Sequence, residues 1–254
     1  LLKEKGIDLV VVPVPAKGAI YPDKLVAGFG IEDPAAYAPY FDTLRAQGVD
    51  VLDFEPIARK LRAEGAPRLY CAQDTHFSPY TAQLLAGEIG QQFSGKDWAS
   101  QAAIGDILRG PSETLTLTGD QVKGSEWEGQ VDQEALPVVY AGTDKGGRIE
   151  PVPASDDSPV LLIGDSHTLV FSEGGDMHAK GAGLRDQLQA EFGFPLAHVG
   201  VRGSGLVQAR RQLYQKAAPN PMFWDDKKLV IWVFSVREFT QSYDKILSIP
   251  IEKK

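Results

Sequence analysis

The chain predicts an α/β protein, a three-layer αβα sandwich with a parallel central sheet, and three observations predict it. Apolar, β-branched runs of strand length recur: IDLVVVPVP (7–15), SPVLLIG (158–164) and KLVIWVFS (228–235). Runs of this kind, apolar on both faces, suit strands buried in a parallel sheet. Stretches with helical periodicity that close on glycine lie between them, and the strand–helix alternation itself implies helices on the sheet faces. At 254 residues, with 43% hydrophobic and 24% charged residues, the chain has the make-up of one large globular domain spanning 1–254.

Taken in order, IDLVVVPVP is the first strand, closed by prolines. DPAAYAPYFDTLRAQG (33–48) offers Asp33 as a cap, Pro34 at the first helical position and Gly48 as a stop. VDVLDF is a short strand, EPIARKLRAEG a helix ending in glycine, and RLYCA (68–72) a further strand. Ser78 and Pro79 open a helix through YTAQLLAGEIGQQF. From about 94 to 158 the rhythm breaks into an irregular, β-rich insertion of short strands and loops. Within it ETLTLTGD and LPVVYAG read as strands and KGSEWEGQ as a turn. The α/β rhythm then returns with PVLLIGDS, GLRDQLQAEFG, PLAHVGV, GLVQARRQLYQKA and KLVIWVFS.

Composition narrows the function classes. The net charge of −8 and the lack of a Lys/Arg run argue against nucleic acid as a partner. No apolar run approaches the roughly 20 residues of a transmembrane helix, so no spanning segment is expected. The single cysteine, Cys71, excludes an internal disulfide and reads as a buried small hydrophobe. The chain opens at LLKEKG without an initiator Met or signal-peptide pattern, so its start is silent about targeting.

Chemistry-bearing residues collect at strand ends, where open α/β sheets bind ligands. GDSH (164–167) follows one apolar run and presents Ser166 as a nucleophile. His167 beside it is a poor base, since neighbouring side chains point to different sides; it is expected at the surface or as a cap. His76, in RLYCAQDTHF, is expected at the same level of the sheet. Asp74, two residues before it, can orient the ring through Nδ1 and leave Nε2 to accept a proton. Asp165 is expected to bind backbone N–H groups of its turn and do no chemistry.

The other histidines and glycines have plainer readings. His178, in the glycine-rich EGGDMHAKGAG, has the reach to enter a site but lacks partners at metal-ligand spacing, so no metal is expected. His198 reads as a core histidine with a hydrogen bond. No G-x-G-x-x-G fingerprint or phosphate-cradling loop supports a nucleotide binder of flavodoxin type. Trp127 in the insertion is a candidate sugar-stacking face, and Trp232 a core residue.

GDSH on a strand end with an Asp-x-His resembles the SGNH hydrolase superfamily. The Asp-x-His ahead of the serine and followed by an aromatic, Phe77, resembles the SGNH-like domains of the alginate O-acetyltransferase AlgX/AlgJ family. PVPAKGAIYP, HVGVRGSG and VIWVFSVREFT add looser matches. The resemblance implies Ser166 as nucleophile, His76 as base and Asp74 as its orienter. It further implies an oxyanion hole from the N–H of Ser166 with that of Gly203 or Gly205. Apart from the resemblance, Arg202 and Arg237, near the carboxyl ends of strands, and Lys17 and Tyr21, in the exit loop of the first strand, are candidate substrate contacts by position. The superfamily's asparagine block has no counterpart, because the strand VIWVFS leads into Val236, Arg237 and Glu238. The implied activity is acetyl transfer to a bacterial exopolysaccharide without a cofactor. The partners would be a polysaccharide acceptor, an acetyl donor and a membrane acyl-transfer protein, and the compartment periplasmic or secreted. An acetylesterase with the same triad, or a non-catalytic polysaccharide-binding module, are the alternatives.

Overall fold

The computed structural model describes residues 1–28, 37–103, 105–241, 248–249 and 251. In chain order its elements are β1 (Asp8–Val14), α1 (Lys17–Ile20), α2 (Ala38–Ala46), β2 (Asp50–Val51), α3 (Glu55–Ala63), α4 (Pro79–Phe93), α5 (Asp97–Ala102) and β3 (Leu108–Leu117). They continue with β4 (Glu134–Asp144), β5 (Ile149–Glu150), β6 (Val160–Gly164), α6 (Leu184–Phe192), β7 (Ala197–Gly200), α7 (Val207–Ala217) and β8 (Leu229–Ser235). The chain forms two compact units. One comprises Leu1–Leu61, Ala154–Thr168 and Leu196–Lys254, the other Arg62–Pro153 and Leu169–Pro195. The fold class is as expected: α/β, with a five-stranded parallel sheet flanked by helices and a small antiparallel sheet from the insertion.

The first unit holds the parallel sheet in the order β2-β1-β8-β6-β7. The runs read as buried strands occupy its centre. Val10 pairs with Ile231, Leu161 with Val230 and Ile163 with Val199, and every residue of β6 is buried. α7 packs over β6 and β7 through Ala209, Leu213 and Ala217. Since all five strands are parallel, their carboxyl ends share one edge. That edge carries the exits to Lys17 from β1, Ser166 from β6, Gly203 and Gly205 from β7, and Arg237 from β8. The expected cap Asp33 and Pro34 lie outside the described residues; α2 runs over Ala38–Ala46, and Gly48 beyond it adopts φ 78°.

The second unit holds the antiparallel sheet β3-β4-β5 together with α4, α5 and α6. Its β3 and β4, of 10 and 11 residues, are longer than the short strands expected, and α5 was not foreseen. Alternation marked the strands, but the pairing across the 118–133 segment extends both past their alternating cores. α4 starts as read: Ser78 caps it by accepting the Thr81 N–H.

RLYCA is a correction. It joins no sheet, and only an isolated bridge links Tyr70 to Phe77. Its burial is real, with Leu69, Tyr70 and Cys71 at 0–3% exposure, but its backbone polar groups are satisfied otherwise. Cys71 N–H bonds the His76 carbonyl, Ser78 N–H the Leu69 carbonyl, and the N–H groups of Ala72 and Gln73 the carboxylate of Glu134. An apolar run shows burial; it does not show which acceptor the backbone finds.

Candidate active site

Ser166 stands at the carboxyl edge of the parallel sheet, in a tight turn directly after β6. Gly164 is the last strand residue, and a side chain there would collide with the Val233 carbonyl and Thr168. Asp165, 1% exposed, organises the turn. Its Oδ1 accepts the His167 backbone N–H at 2.9 Å and lies 2.9 Å from His167 Nδ1, while its Oδ2 accepts the Ser235 N–H at 2.9 Å. Burial disfavours its charge, but His167 and these hydrogen bonds outweigh that and hold the carboxyl below the usual range. Asp165 thus does the turn-forming work expected of it. His167 departs from expectation: it is half-buried against Asp165 and not a surface residue.

Gly205 packs against this turn. A Cβ at Gly205 would lie 2.7 Å from Phe234 Cβ and 3.1 Å from Asp165 Cβ, so no larger residue fits without a shift. Gly203 sits at φ 111°, which favours glycine. After β8 the chain forms a 3-10 turn, Val236–Thr240. There Ser235 N–H holds Asp165, and the buried Glu238 accepts the Ser204 hydroxyl at 2.9 Å. Arg202 and Arg237 are exposed, and Lys17 and Tyr21 half-buried. His198 has the hydrogen bond expected of it, its Nε2 lying 3.0 Å from Thr168 Oγ1, but it is half-buried and not a core residue.

The second unit carries the other two predicted residues, and here the Asp-x-His reading has direct geometric content. Asp74 Oδ1 accepts the backbone N–H of His76 at 2.9 Å and lies 2.6 Å from His76 Nδ1. An ionised carboxylate only accepts hydrogen bonds, so in a neutral His76 ring the proton sits on Nδ1 and the lone pair on Nε2. Asp74 is 2% exposed. Burial opposes its ionisation, but hydrogen bonds from His178, His76 and the backbone of His76 and Asp120 prevail. They hold the carboxyl far below the ordinary carboxylate range.

Three partners of this loop escaped the sequence reading. His178 Nε2 lies 2.8 Å from Asp74 Oδ2, so Asp74 serves two imidazoles. Asp120 donates its N–H to Asp74 Oδ2 at 3.0 Å and accepts from Thr75 through its side chain. Glu134, at the start of β4, is buried and accepts from Ala72, Gln73 and Arg68. The insertion therefore anchors the Asp74 loop, and Gly119 permits it: a side chain there would strike the Gln73 carbonyl. The glycine-rich EGGDMHAKGAG signalled reach for His178, but nothing in the chain paired it with a residue a hundred positions away. Asp74, His76 and Asp120 bring ligand-type atoms within 4.8 Å of one another, a spacing that the hydrogen bonds above already explain. A cleft of about 640 Å³ in this unit is lined by Thr116, Thr118, Asp120, Lys123, Gln133 and His178, among others.

The family described as "SGNH hydrolase-like domain, acetyltransferase AlgX" matches residues 1–236. Two proteins, each named "Probable alginate O-acetylase AlgJ", are similar in sequence. That of Pseudomonas aeruginosa is 24% identical over 96% of this chain and 62% of its own length, and that of Azotobacter vinelandii 25% identical over 96% and 61%. The chain thus spans about three fifths of the length of these relatives. Among solved structures, the O-acetyltransferase domain of Pseudomonas putida AlgJ superposes with a TM-score of 0.65 at 19% identity, over 96% of this chain and 80% of that one. Pseudomonas aeruginosa AlgX superposes with a TM-score of 0.62 at 20% identity, over 92% and 54%. These likenesses establish the fold. With the match over residues 1–236, the chain belongs to the family of SGNH hydrolase-like domains of AlgX-type acetyltransferases.

Proposed function

We propose that the protein is a serine-dependent O-acetyltransferase that acts on a bacterial exopolysaccharide through an acetyl-serine intermediate. The observation that carries this reading is the Asp74–His76 pair, in which a buried carboxylate holds Nδ1 of a ring whose Nε2 is thereby the basic nitrogen. The glycine-framed turn that presents Ser166 at the sheet edge and the family of the chain support it.

The reading requires His76 Nε2 and Ser166 Oγ to meet in the working protein. His76 takes the Ser166 proton as Oγ attacks the acetyl carbonyl of a donor. The acetyl–donor C–O bond then breaks, and the proton passes from His76 to the departing oxygen. In the second half a sugar hydroxyl gives its proton to His76 and attacks the acetyl-serine; the Oγ–acetyl bond breaks and the proton returns from His76 to Ser166 Oγ. The oxyanion is assigned to the N–H of Ser166 with that of Gly203 or Gly205. Arg202, Arg237, Lys17 and Tyr21 are proposed to contact donor or acceptor, and the hydroxyl-, amide- and carboxylate-lined cleft beside His178 suits a hydroxyl-rich chain. The acetyl donor, a membrane acyl-transfer partner and a periplasmic or secreted location belong to the same proposal. Among the described residues no helix is long and apolar enough to cross a membrane.

The test is intact-mass and peptide mapping after brief exposure to p-nitrophenyl acetate, alongside Ser166→Ala and His76→Ala. An acetyl group on Ser166, absent from both variants, is the expected result. Transfer to an oligosaccharide, in place of release as free acetate, then separates transferase from esterase. Folded protein that takes no acetyl group on any residue would overturn the reading in favour of a polysaccharide-binding module, consistent with the missing asparagine block.

A further inference from the structure

We propose that His178 is a positioning residue for the Asp74–His76 pair: by holding Asp74 Oδ2 it keeps Oδ1 on His76 Nδ1. The inference rests on the reading of His76 as the base and adds to it a residue outside the serine, histidine and aspartate set.

The carboxylate of Asp74 has two oxygens, and each is claimed from a different direction. Oδ1 faces His76 through the backbone N–H at 2.9 Å and Nδ1 at 2.6 Å. Oδ2 faces the Asp120 N–H at 3.0 Å, just after β3, and His178 Nε2 at 2.8 Å, from the 169–183 loop. A carboxylate turns readily about its terminal torsion, where the wells are broad and two-fold. A donor fixed on Oδ2 from a separate element therefore restrains Oδ1 as well. Because the carboxylate is ionised, His178 must hold its proton on Nε2.

The loop that delivers His178 is built for fixed placement. His178 itself adopts φ 69° and Phe171 φ 60°, the two non-glycine residues with positive φ among those described. Such backbone persists only where its surroundings over-determine it, and it clusters at functional sites. The surroundings here are explicit. Phe171 N–H bonds the Met177 carbonyl, Ala182 N–H the Phe171 carbonyl, and Gly174 N–H the Ala179 carbonyl, each at 2.8 Å. Ala141 of β4 donates to the Gly181 carbonyl at 2.7 Å, tying the loop to the sheet. The His178 ring rests by the Phe171 ring, centroids 5.6 Å apart. A loop needed only for packing has no cause to place a histidine nitrogen on the carboxylate that orients the base. The low protonation tendency of Asp74, to which His178 contributes, agrees with this role.

The experiment compares Ser166 acetylation by p-nitrophenyl acetate in the wild type, His178→Ala, His178→Phe and His178→Gln, with the proton NMR signal of His76 Nδ1–H recorded for each. Loss of an outer partner that orients a functional group typically costs about tenfold to a hundredfold. That is the expected drop for His178→Ala and His178→Phe, with the Nδ1–H signal broadened by exchange. His178→Gln, which restores an N–H donor at similar reach, should recover most of the rate and the signal. If His178→Ala does not fold, the Phe and Gln pair still decides. Folded variants that keep the wild-type rate and signal overturn the proposal, and so does a Gln variant as impaired as Phe. Ser166→Ala and His76→Ala serve as controls. If His76→Ala acetylates Ser166 at the wild-type rate, or Ser166→Ala consumes p-nitrophenyl acetate as fast as the wild type, the triad reading itself fails, and the Nδ1–H signal alone then decides whether His178 positions His76.

Discussion

Two three-residue segments of this protein, Asp74-Thr75-His76 and Asp165-Ser166-His167, form nearly the same local structure. In each, Oδ1 of the aspartate accepts the N–H of the histidine two residues on at 2.9 Å, and the ring Nδ1 closes on the same oxygen, at 2.6 Å in the first and 2.9 Å in the second. In each the aspartate is buried and its carboxyl held below the usual range. The difference lies in the second oxygen. Asp165 Oδ2 takes a backbone N–H from the end of β8, which fixes the turn carrying Ser166 to the sheet. Asp74 Oδ2 also takes a backbone N–H, from Asp120, but adds a second imidazole, which leaves the carboxylate as the hub of a side-chain network. Short-range spacing writes the turn, and long-range partners decide whether its carboxylate ties the turn to a sheet or joins a side-chain network.

The comparison can be broken by exchanging carboxylate for amide in both places. Asp74→Asn leaves room for the wrong His76 tautomer, and the rate of Ser166 acetylation should fall about 10³–10⁴-fold, with a lower Tm as well because its hydrogen bonds go to a buried charged acceptor. Asp165→Asn should do the reverse in emphasis. It weakens hydrogen bonds to a buried charged acceptor, so denaturant titration should show a loss of about 2–3 kcal/mol, larger than its specific effect on the base. Equal effects of the two variants on rate and stability would dissolve the distinction.

Gly205→Ala sharpens the scaffold side. Its Cβ meets Phe234 and Asp165 at 2.7 and 3.1 Å, so it should cost about 1–3 kcal/mol and displace the Ser166 turn, read as lower Tm with slower acetylation. His167→Gln should slow acetylation less than tenfold, far less than His76→Ala; a comparable loss would make the second pair catalytic too.

Asp186 supplies a pH signature. Burial pushes its carboxyl up to about 6, against the opposing pull of Arg185, Ser172 and the Gly183 N–H. A raised folded value means that the folded state holds the proton more tightly than the unfolded chain. Its contribution is therefore complete below about pH 4 and is lost as pH rises towards 6, by an amount of the order of 3 kcal/mol. Asp74 has the opposite sign: its contribution is present above its unfolded value near 4 and is lost on further acidification. Asp186→Asn should flatten the slope of unfolding free energy between pH 4 and 6 while leaving the acid limb that Asp74 contributes.

Much of this was legible in the chain. β1, β6 and β8 were marked by apolar runs, α4 by Ser78 and Pro79, and the turn role of Asp165 and the Asp74–His76 pair by residue type and spacing. What escaped were interactions without a local signature. RLYCA has the apolar character of a strand, yet its backbone bonds to Glu134 and to its own returning segment. Glu134 reads as one more acidic residue at a strand start, and His178 as a histidine in a loop.

The reason is physical. Periodicity, capping and tight turns depend on side chains within a few positions of one another, so residue order alone determined β1, β6, β8 and α4, the Asp74–His76 pair, the turn role of Asp165 and the serine at a strand end. The second partner of each buried carboxylate comes from a segment distant in the chain, brought in by packing of glycine-rich loops and sheet edges. That is why the tertiary structure was needed to make Asp165 a scaffold, to join His178 to Asp74 and to assign Glu134 the task of holding the loop that bears Asp74.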